Sequence, residues 1–440
     1  MNYHEIEEKG QGGFAKVFIV EGEDGKRYAK KVFAPQTYLV DAVGEEHLKK
    51  RFIREVKYQS TIKHNNVVEI VEHALNNDPP EFIMPLAECT LSDQIQDDPT
   101  LGGSPKKPLF DILAGLEAVH DKGFVHRDLK PANILKFIPL SDTETYAISD
   151  FGLMMASQSN SSTLTGTNAG GGTENYSAPE LIRGLRHATP AADIYSFGAI
   201  LHDIFGGGTT RIPYTELSLP GEIGEIVAKC TKQLTIRRYK TVAALREDLY
   251  KVLDDEEITF TSSKEEAIVT FLGSETTITD EQWDSIFILI QDNLDEGLTN
   301  KNIFSAITED HISSLLNHAP DLFTALGHYF SEYIQNGEFD FNYCDILASK
   351  AEIFFNDGDL GLQSEVAIAL LLLGTSHNRW YVERKFVEMA NNNISDALAE
   401  RIKTEIEVLG IDFLAHICHV EVSINFDKEN LHPVLLEMIQ

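Results

Sequence analysis

His126-Arg127-Asp128-Leu129-Lys130-Pro131-Ala132-Asn133 places a carboxylate, an ammonium and an amide within one short loop. Such a set can orient a hydroxyl nucleophile, neutralise a phosphoryl group in transfer and ligate a divalent cation. Downstream, Asp150-Phe151-Gly152 follows the strand-like Tyr146-Ala147-Ile148 and adds a second carboxylate. Upstream, Gly10-Gln11-Gly12-Gly13-Phe14-Ala15-Lys16-Val17 reads as a Gly-rich turn between two strands. Its glycines let the backbone approach phosphate oxygens and offer them N–H donors. Tyr28-Ala29-Lys30-Lys31 on the following strand supplies an ammonium. Glu55 supplies an anchor for it, on an amphipathic stretch over 45–62 where Leu48, Phe52, Val56 and Ile62 recur at helical spacing. Alone, a Gly-rich hairpin is mostly structural and a lone Lys–Glu pair mostly a surface salt bridge. The order of the motifs carries the reading.

A fifth element, Gly172-Thr173-Glu174-Asn175-Tyr176-Ser177-Ala178-Pro179-Glu180, is followed by Asp193-Ile194-Tyr195-Ser196-Phe197-Gly198. Together the five motifs resemble the catalytic domain of the eukaryotic-type (Hanks-type) serine/threonine protein kinases, over residues 1 to about 254. The resemblance implies an α+β, bilobal fold with a β-rich N-lobe over 1–85 and a helical C-lobe over 89–254. It also implies transfer of the ATP γ-phosphate to protein hydroxyls with Mg²⁺. Lys130, two residues after Asp128, and the Gly172-Thr173-x-x-Tyr176 segment resemble the Ser/Thr rather than the Tyr branch.

By that resemblance, Gly10, Gly12 and the backbone around Phe14 cover ATP, with Val17 and Ala29 above the adenine and Leu135 below. Met84 guards the back of the pocket, and Pro85 to Glu88, with Leu86 and Ala87 at its centre, form the hinge. Lys31 bridges the phosphates to Glu55. Asp128 orients the substrate hydroxyl, Lys130 stabilises the γ-phosphate, and Asn133 with Asp150 holds Mg²⁺. Thr173 links the catalytic loop to the substrate segment, while Glu180–Arg238 and Asp193 are structural.

The chain departs from the family pattern at four places. Ala15 replaces the third glycine, and Gln59 stands where an apolar residue completes an internal column, which puts the active position of the 45–62 helix in question. Pro85 brings no N–H to the hinge, and 137–145 reads as a surface insertion. Arg127 before Asp128 implies an activation loop ordered by phosphate. Ser157, Ser159, Ser161, Ser162, Thr163, Thr165 and Thr167 are the candidate acceptors, and autophosphorylation is expected at one of the three threonines. The bland alternative is a soluble, hydroxyl-rich loop. Two competing readings are a kinase-fold scaffold with dispensable catalysis and a small-molecule kinase. The latter generally lacks the Ala178-Pro179-Glu180 segment.

The full chain has 440 residues, 42% hydrophobic and 24% charged, enough for two domains with large cores. Net charge is −32, and residues 255–440 carry −25 of it. Such a half repels nucleic acid and acidic membranes, and serves solubility or a basic protein partner. The longest apolar run, Val366 to Leu373, is too short to span a membrane. Met1-Asn2-Tyr3-His4-Glu5 lacks the apolar core of a signal peptide. Cys89, Cys230, Cys344 and Cys418 lack zinc spacing and fit reduced thiols in a cytoplasmic protein. His416, Cys418 and His419 read as packing rather than metal ligands. Strand-like pieces near 258–279 suggest a connector over 255–280. Beyond it, 281–440 reads as an acidic α-helical domain, HEAT-like in arrangement, with 361–373 as a central buried helix.

Overall fold

The computed structural model describes residues 3–138, 144–151, 155–156, 173–184, 187–208, 210–254, 258–275, 277–293 and 297–439. It divides into two compact units, Met1–Leu253 and Asp254–Gln440.

The first unit opens with β1 (Tyr3–Gln11), β2 (Ala15–Gly22) and β3 (Arg27–Phe33), followed by α1 (Thr37–Val43), α2 (Glu45–Gln59), β4 (Glu72–Ala74) and β5 (Glu81–Pro85). The strands form one antiparallel sheet in the order β1-β2-β3-β5-β4. Helix α2 presents Leu48, Phe52 and Val56 to this sheet at four-residue spacing, all buried. Phe52 meets Phe33 and Phe82 at ring-centroid distances of 5.7 and 5.6 Å. Each such ring contributes about 1.5–3 kcal/mol by burial, which presses α2, and Glu55 with it, onto the sheet. The run Val67–Val71, strand-like in sequence, forms no strand. Val67 makes only an isolated parallel bridge to Ile148, and the strand starts at Glu72. Val67, Val68 and Ile70 are buried against neighbouring elements, while Val71 is exposed and its N–H donates to the Ile83 carbonyl at 2.9 Å.

Next come β6 (Cys89–Thr90), α3 (Leu91–Asp97), α4 (Lys106–Asp121), β7 (Phe124–Val125), β8 (Ile134–Phe137), β9 (Thr145–Ile148), β10 (Met155–Ala156), α5 (Pro190–Phe205), α6 (Gly221–Cys230) and α7 (Val242–Leu253). Helices α4 and α5 are buried over most of their circumference and form the core of this helical part. The unit thus has a β-rich first part and a helical second part, the bilobal plan.

The second unit is helical: α8 (Ser263–Ser274), α9 (Asp280–Asp292), α10 (Gly297–Ala306), α11 (Glu309–His318), α12 (Pro320–Asn336), α13 (Tyr343–Asp357), α14 (Leu360–Ser376), α15 (Trp380–Ala390), α16 (Asp396–Leu409), α17 (Phe413–Ile424) and α18 (Pro433–Leu436). One expectation is corrected here. The strand-like stretch of the proposed connector is largely helix α8, packed on α10. Its β-branched residues are overridden by an N-cap, the Ser262 side chain accepting from the Glu265 N–H, and by Glu265 and Glu266 in the first turn. Helix α14 packs against α12, α13, α15, α16 and α17, because it is apolar on all sides and can be buried only by being surrounded. Trp283 is buried, whereas Trp380 is half-buried.

Candidate active site

The cleft residues reach one another through strand register. Val17 lies opposite Lys31, and Ala29 opposite Met84. Directly opposed residues share a sheet face, as do residues two apart on one strand. Val17, Ala29, Lys31 and Met84 therefore line a single face. Leu135 lies on β8, which pairs with β6 just after the 86–88 segment. Leu86 and Ala87 follow β5, and Glu88 is fixed by its N–H donating to the Lys136 carbonyl at 2.9 Å. Above the cleft, the β1–β2 turn is closed by the Gly12 N–H donating to the Ala15 carbonyl at 2.8 Å. A Cβ on Gly10 would meet no protein atom within 4 Å. Internal packing thus gives no reason for a glycine there.

Lys31 Nζ stands 3.1 Å from Glu55 Oε1 and 3.5 Å from Asp150 Oδ1. One ammonium thus serves two carboxylates. The charges explain how each group titrates. Burial acts against the charge of Lys31, yet the two carboxylates hold its pKa above the ordinary lysine value. Burial pushes the Glu55 carboxyl up to about 7, the Lys31 charge offsetting this only in part. Asp150 is also subject to burial, but Lys31 and Lys130 hold it below the usual carboxylate range. The deeper carboxylate yields and the one nearer the cleft stays ionised.

The catalytic loop is held from beneath by Asp193. Its buried carboxylate accepts the His126 and Arg127 N–H groups, both at 2.8 Å, and faces His120 Nε2 at 2.9 Å. This anchorage sustains the positive φ of Arg127, 71°. Asp150 likewise has φ 65°. The His126 ring lies 3.0 Å from the Ser149 carbonyl and edge-on to the buried Phe151 at 4.9 Å, which joins the two motifs. Lys130 Nζ donates to Asp128 Oδ2 at 2.9 Å. The Asn133 amide donates to the Asp128 carbonyl at 2.8 Å and to Oδ2 at 3.2 Å, turning its own carbonyl oxygen away from Asp128. Burial raises the Asp128 pKa despite Lys130.

The Asn133 carbonyl oxygen and the ionised Asp150 carboxylate are hard oxygen donors of the kind Mg²⁺ takes, and they fit such an ion. Glu180 and Arg238 form a two-pronged pair at 2.7 and 2.8 Å. Gly152, the side chain of Thr173 and the hydroxyl residues from Ser157 to Thr167 lie outside the described residues, as does most of the 137–145 insertion. His416 and His419 bond to Thr375 Oγ1 at 2.8 Å and Glu383 Oε1 at 3.0 Å. Among the described residues, no helix is long and apolar enough to cross a membrane.

Sequence reasoning missed two features of this region. Arg51, on α2 one turn before Glu55, lies over the Phe14 ring. Tyr176, just before the Ala178-Pro179-Glu180 segment, donates to Asp203 at 2.6 Å and is covered by the Arg211 guanidinium at 4.6 Å. No local signal marks either cluster, since each joins residues distant in the chain.

The family description Protein kinase domain matches residues 3–272. Among curated relatives, CBL-interacting serine/threonine-protein kinase 24 of Arabidopsis thaliana is 34% identical over 217 residues, 48% of this chain and 45% of the relative. CBL-interacting protein kinase 24 of Oryza sativa subsp. japonica is 31% identical over 222 residues, 50% of this chain and 46% of its own. Carbon catabolite-derepressing protein kinase of Candida tropicalis is 29% identical over 223 residues, 50% of this chain and 33% of its own. The chain thus spans a third to a half of the length of these relatives. With the match covering more than half of its residues, the chain belongs to the protein kinase domain family.

Proposed function

We propose that this chain is a serine/threonine protein kinase that transfers the γ-phosphoryl group of ATP to a Ser or Thr hydroxyl of a protein. The observation that carries the reading is Lys31 shared between Glu55 and Asp150, at 3.1 and 3.5 Å. It supports the reading of Lys31 as a phosphate-binding ammonium, with helix α2 packed inward. Lys130 beside Asp128 and the relatives named as serine/threonine kinases support the hydroxyl acceptor.

In the reaction, the substrate hydroxyl oxygen attacks the γ-phosphorus while the bond from that phosphorus to the β–γ bridging oxygen breaks. ADP leaves, and Asp128 orients the hydroxyl and accepts its proton. Lys31 and Lys130 offset the phosphate charge. Asn133 and Asp150 would hold Mg²⁺, which would supply further neutralisation of phosphate charge.

Regulation by autophosphorylation within 157–167 belongs to the same reading. Arg127 is buried, and among the described residues its Nε and Nη1 have no hydrogen-bond partner. A phosphate would satisfy both. The acidic unit from 254 onward is proposed to engage a protein partner. The scaffold alternative drew on Gln59, which is hydrogen-bonded rather than disruptive, and no other observation favours it.

The test incubates the full chain with Mg²⁺ and labelled ATP, beside Asp150→Asn and Lys31→Met, and maps phosphosites by mass spectrometry. Label in the wild type, reduced about 100-fold or more in both variants, is expected. Equal labelling of wild type and Asp150→Asn would refute the assignment. Phosphosites lying wholly outside 153–172 would refute the regulatory part.

A further inference from the structure

The Phe14 ring at the tip of the Gly-rich turn faces Arg51, with the guanidinium carbon 4.5 Å from the ring centroid. Both side chains are half-buried. Arg51 precedes Glu55 by one helical turn, so the two project from the same face of α2. Glu55 in turn stands 3.1 Å from Lys31 Nζ, so Arg51 lies one helical turn from the carboxylate that holds that ammonium. Phe14 also packs against the apolar cluster that includes Leu48 and Phe52 of α2.

The backbone of the turn is pinned on its other side. The Ala34 N–H donates to the Phe14 carbonyl and the Gln36 N–H to the Gly13 carbonyl, both at 3.0 Å. The turn is thus stitched to the β3–α1 connection through its backbone and to α2 through one ring. A cation over a ring strengthens as water is excluded, and nucleotide filling the cleft would exclude it.

We propose that Arg51 is a positioning residue for the nucleotide. Its stacking on Phe14 ties the Gly-rich turn to α2, so that closure of the turn over ATP and formation of the Lys31–Glu55 pair are one event. The proposal rests on the phosphotransfer reading. A helix displaced outward removes the ring's support, and a turn lifted away removes the cation's.

The test uses the full chain with Mg·ATP and compares wild type, Phe14→Leu, Arg51→Met, the double variant and Phe14→Tyr. Methionine keeps the length of Arg51 and removes its charge. Each disruptive single variant is expected to raise KM for ATP about 3–10-fold with kcat changed less than about 2-fold, and the double variant to be no worse than either single. Phe14→Tyr retains the ring and is expected to raise KM less than Phe14→Leu does. Hydrogen exchange of the 45–59 amides rises in Phe14→Leu although the substitution lies outside that helix. Multiplicative losses in the double variant, or α2 exchange untouched by Phe14→Leu, would overturn the coupling while leaving the kinase reading intact. A wild-type chain that binds no Mg·ATP would overturn both.

Discussion

Gln59 Nε2 donates a 2.6 Å hydrogen bond to the carbonyl oxygen of Val68, and both residues are buried. A polar residue at the last turn of α2 thereby becomes the fastener between that helix and the 67–71 segment. The same segment is held on its far side by the Val68 N–H donating to the Ile148 carbonyl at 2.9 Å. Gln59 therefore transmits the position of β9, which leads into Asp150, to the helix that carries Glu55. An apolar residue would fill the space without supplying the donor.

Replacement Gln59→Ala leaves the Val68 carbonyl buried and short of its donor, a loss of about 1–3 kcal/mol. Hydrogen exchange over 45–59 should report faster opening of α2 by that amount. Exchange unchanged from wild type would mean that the bond contributes nothing to holding the helix.

The Glu55 carboxyl makes a second prediction, in pH. Its pKa is raised from an ordinary 4.5 to about 7. Between those values the folded state holds a proton that the unfolded chain has released, so stability from this group falls as pH rises through the window. Glu55→Gln removes the titration. The thermal stability of the nucleotide-free chain should fall more from pH 5 to pH 7.5 in wild type than in the variant. Parallel curves would show that Glu55 titrates as an ordinary carboxylate.

The site was readable where its chemistry is local. Asp128, Lys130 and Asn133 fall within one loop, and Lys31 and Glu55 sit on elements whose apolar spacing is plain. What escaped is set by contacts across the fold. Gln59 looked disruptive because nothing near it in sequence announces the Val68 carbonyl as its acceptor. Phe14 and Arg51 meet only after the sheet has packed on α2. In the second unit, Ile258, Thr259 and Thr261 ahead of α8 and Ile268 and Thr270 within it suggest strand, while the cap at Ser262 is a single residue. The apolar run Val366 to Leu373 did announce burial, but not which helices would provide it.

Arg379 and Asp345 form a two-pronged ion pair inside the second unit. Arg379 Nε donates to Asp345 Oδ1 at 2.6 Å, and its Nη2 donates to Oδ2. The Asp345 side chain is fully buried, and the guanidinium also stacks on Phe341 at 4.0 Å. Arg379→Ala strands a buried carboxylate and should cost about 3–5 kcal/mol. Trp283 and Trp380 are the only tryptophans of the chain, so their fluorescence in urea follows this unit alone. An unchanged midpoint would show that water replaces the guanidinium without loss.

Asp193 tests how far the catalytic loop depends on one carboxylate. It accepts from two backbone N–H groups and faces His120, and these contacts hold its pKa below the usual carboxylate range although burial opposes its charge. Its contribution is therefore present above the ordinary carboxylate pKa and lost only as pH falls below it. Asn at this position turns an NH₂ toward one of the donors, so one of the three contacts fails. The loss should be about 1.5–3 kcal/mol in stability. Because Arg127 and Asp128 ride on the released backbone, kcat should fall about 10-fold or more, while KM for ATP, set at the other side of the cleft, should hold. A variant of unchanged kcat and lowered stability would make Asp193 a fold anchor alone. Loss of kcat at conserved KM would make it the support on which the position of Asp128 depends.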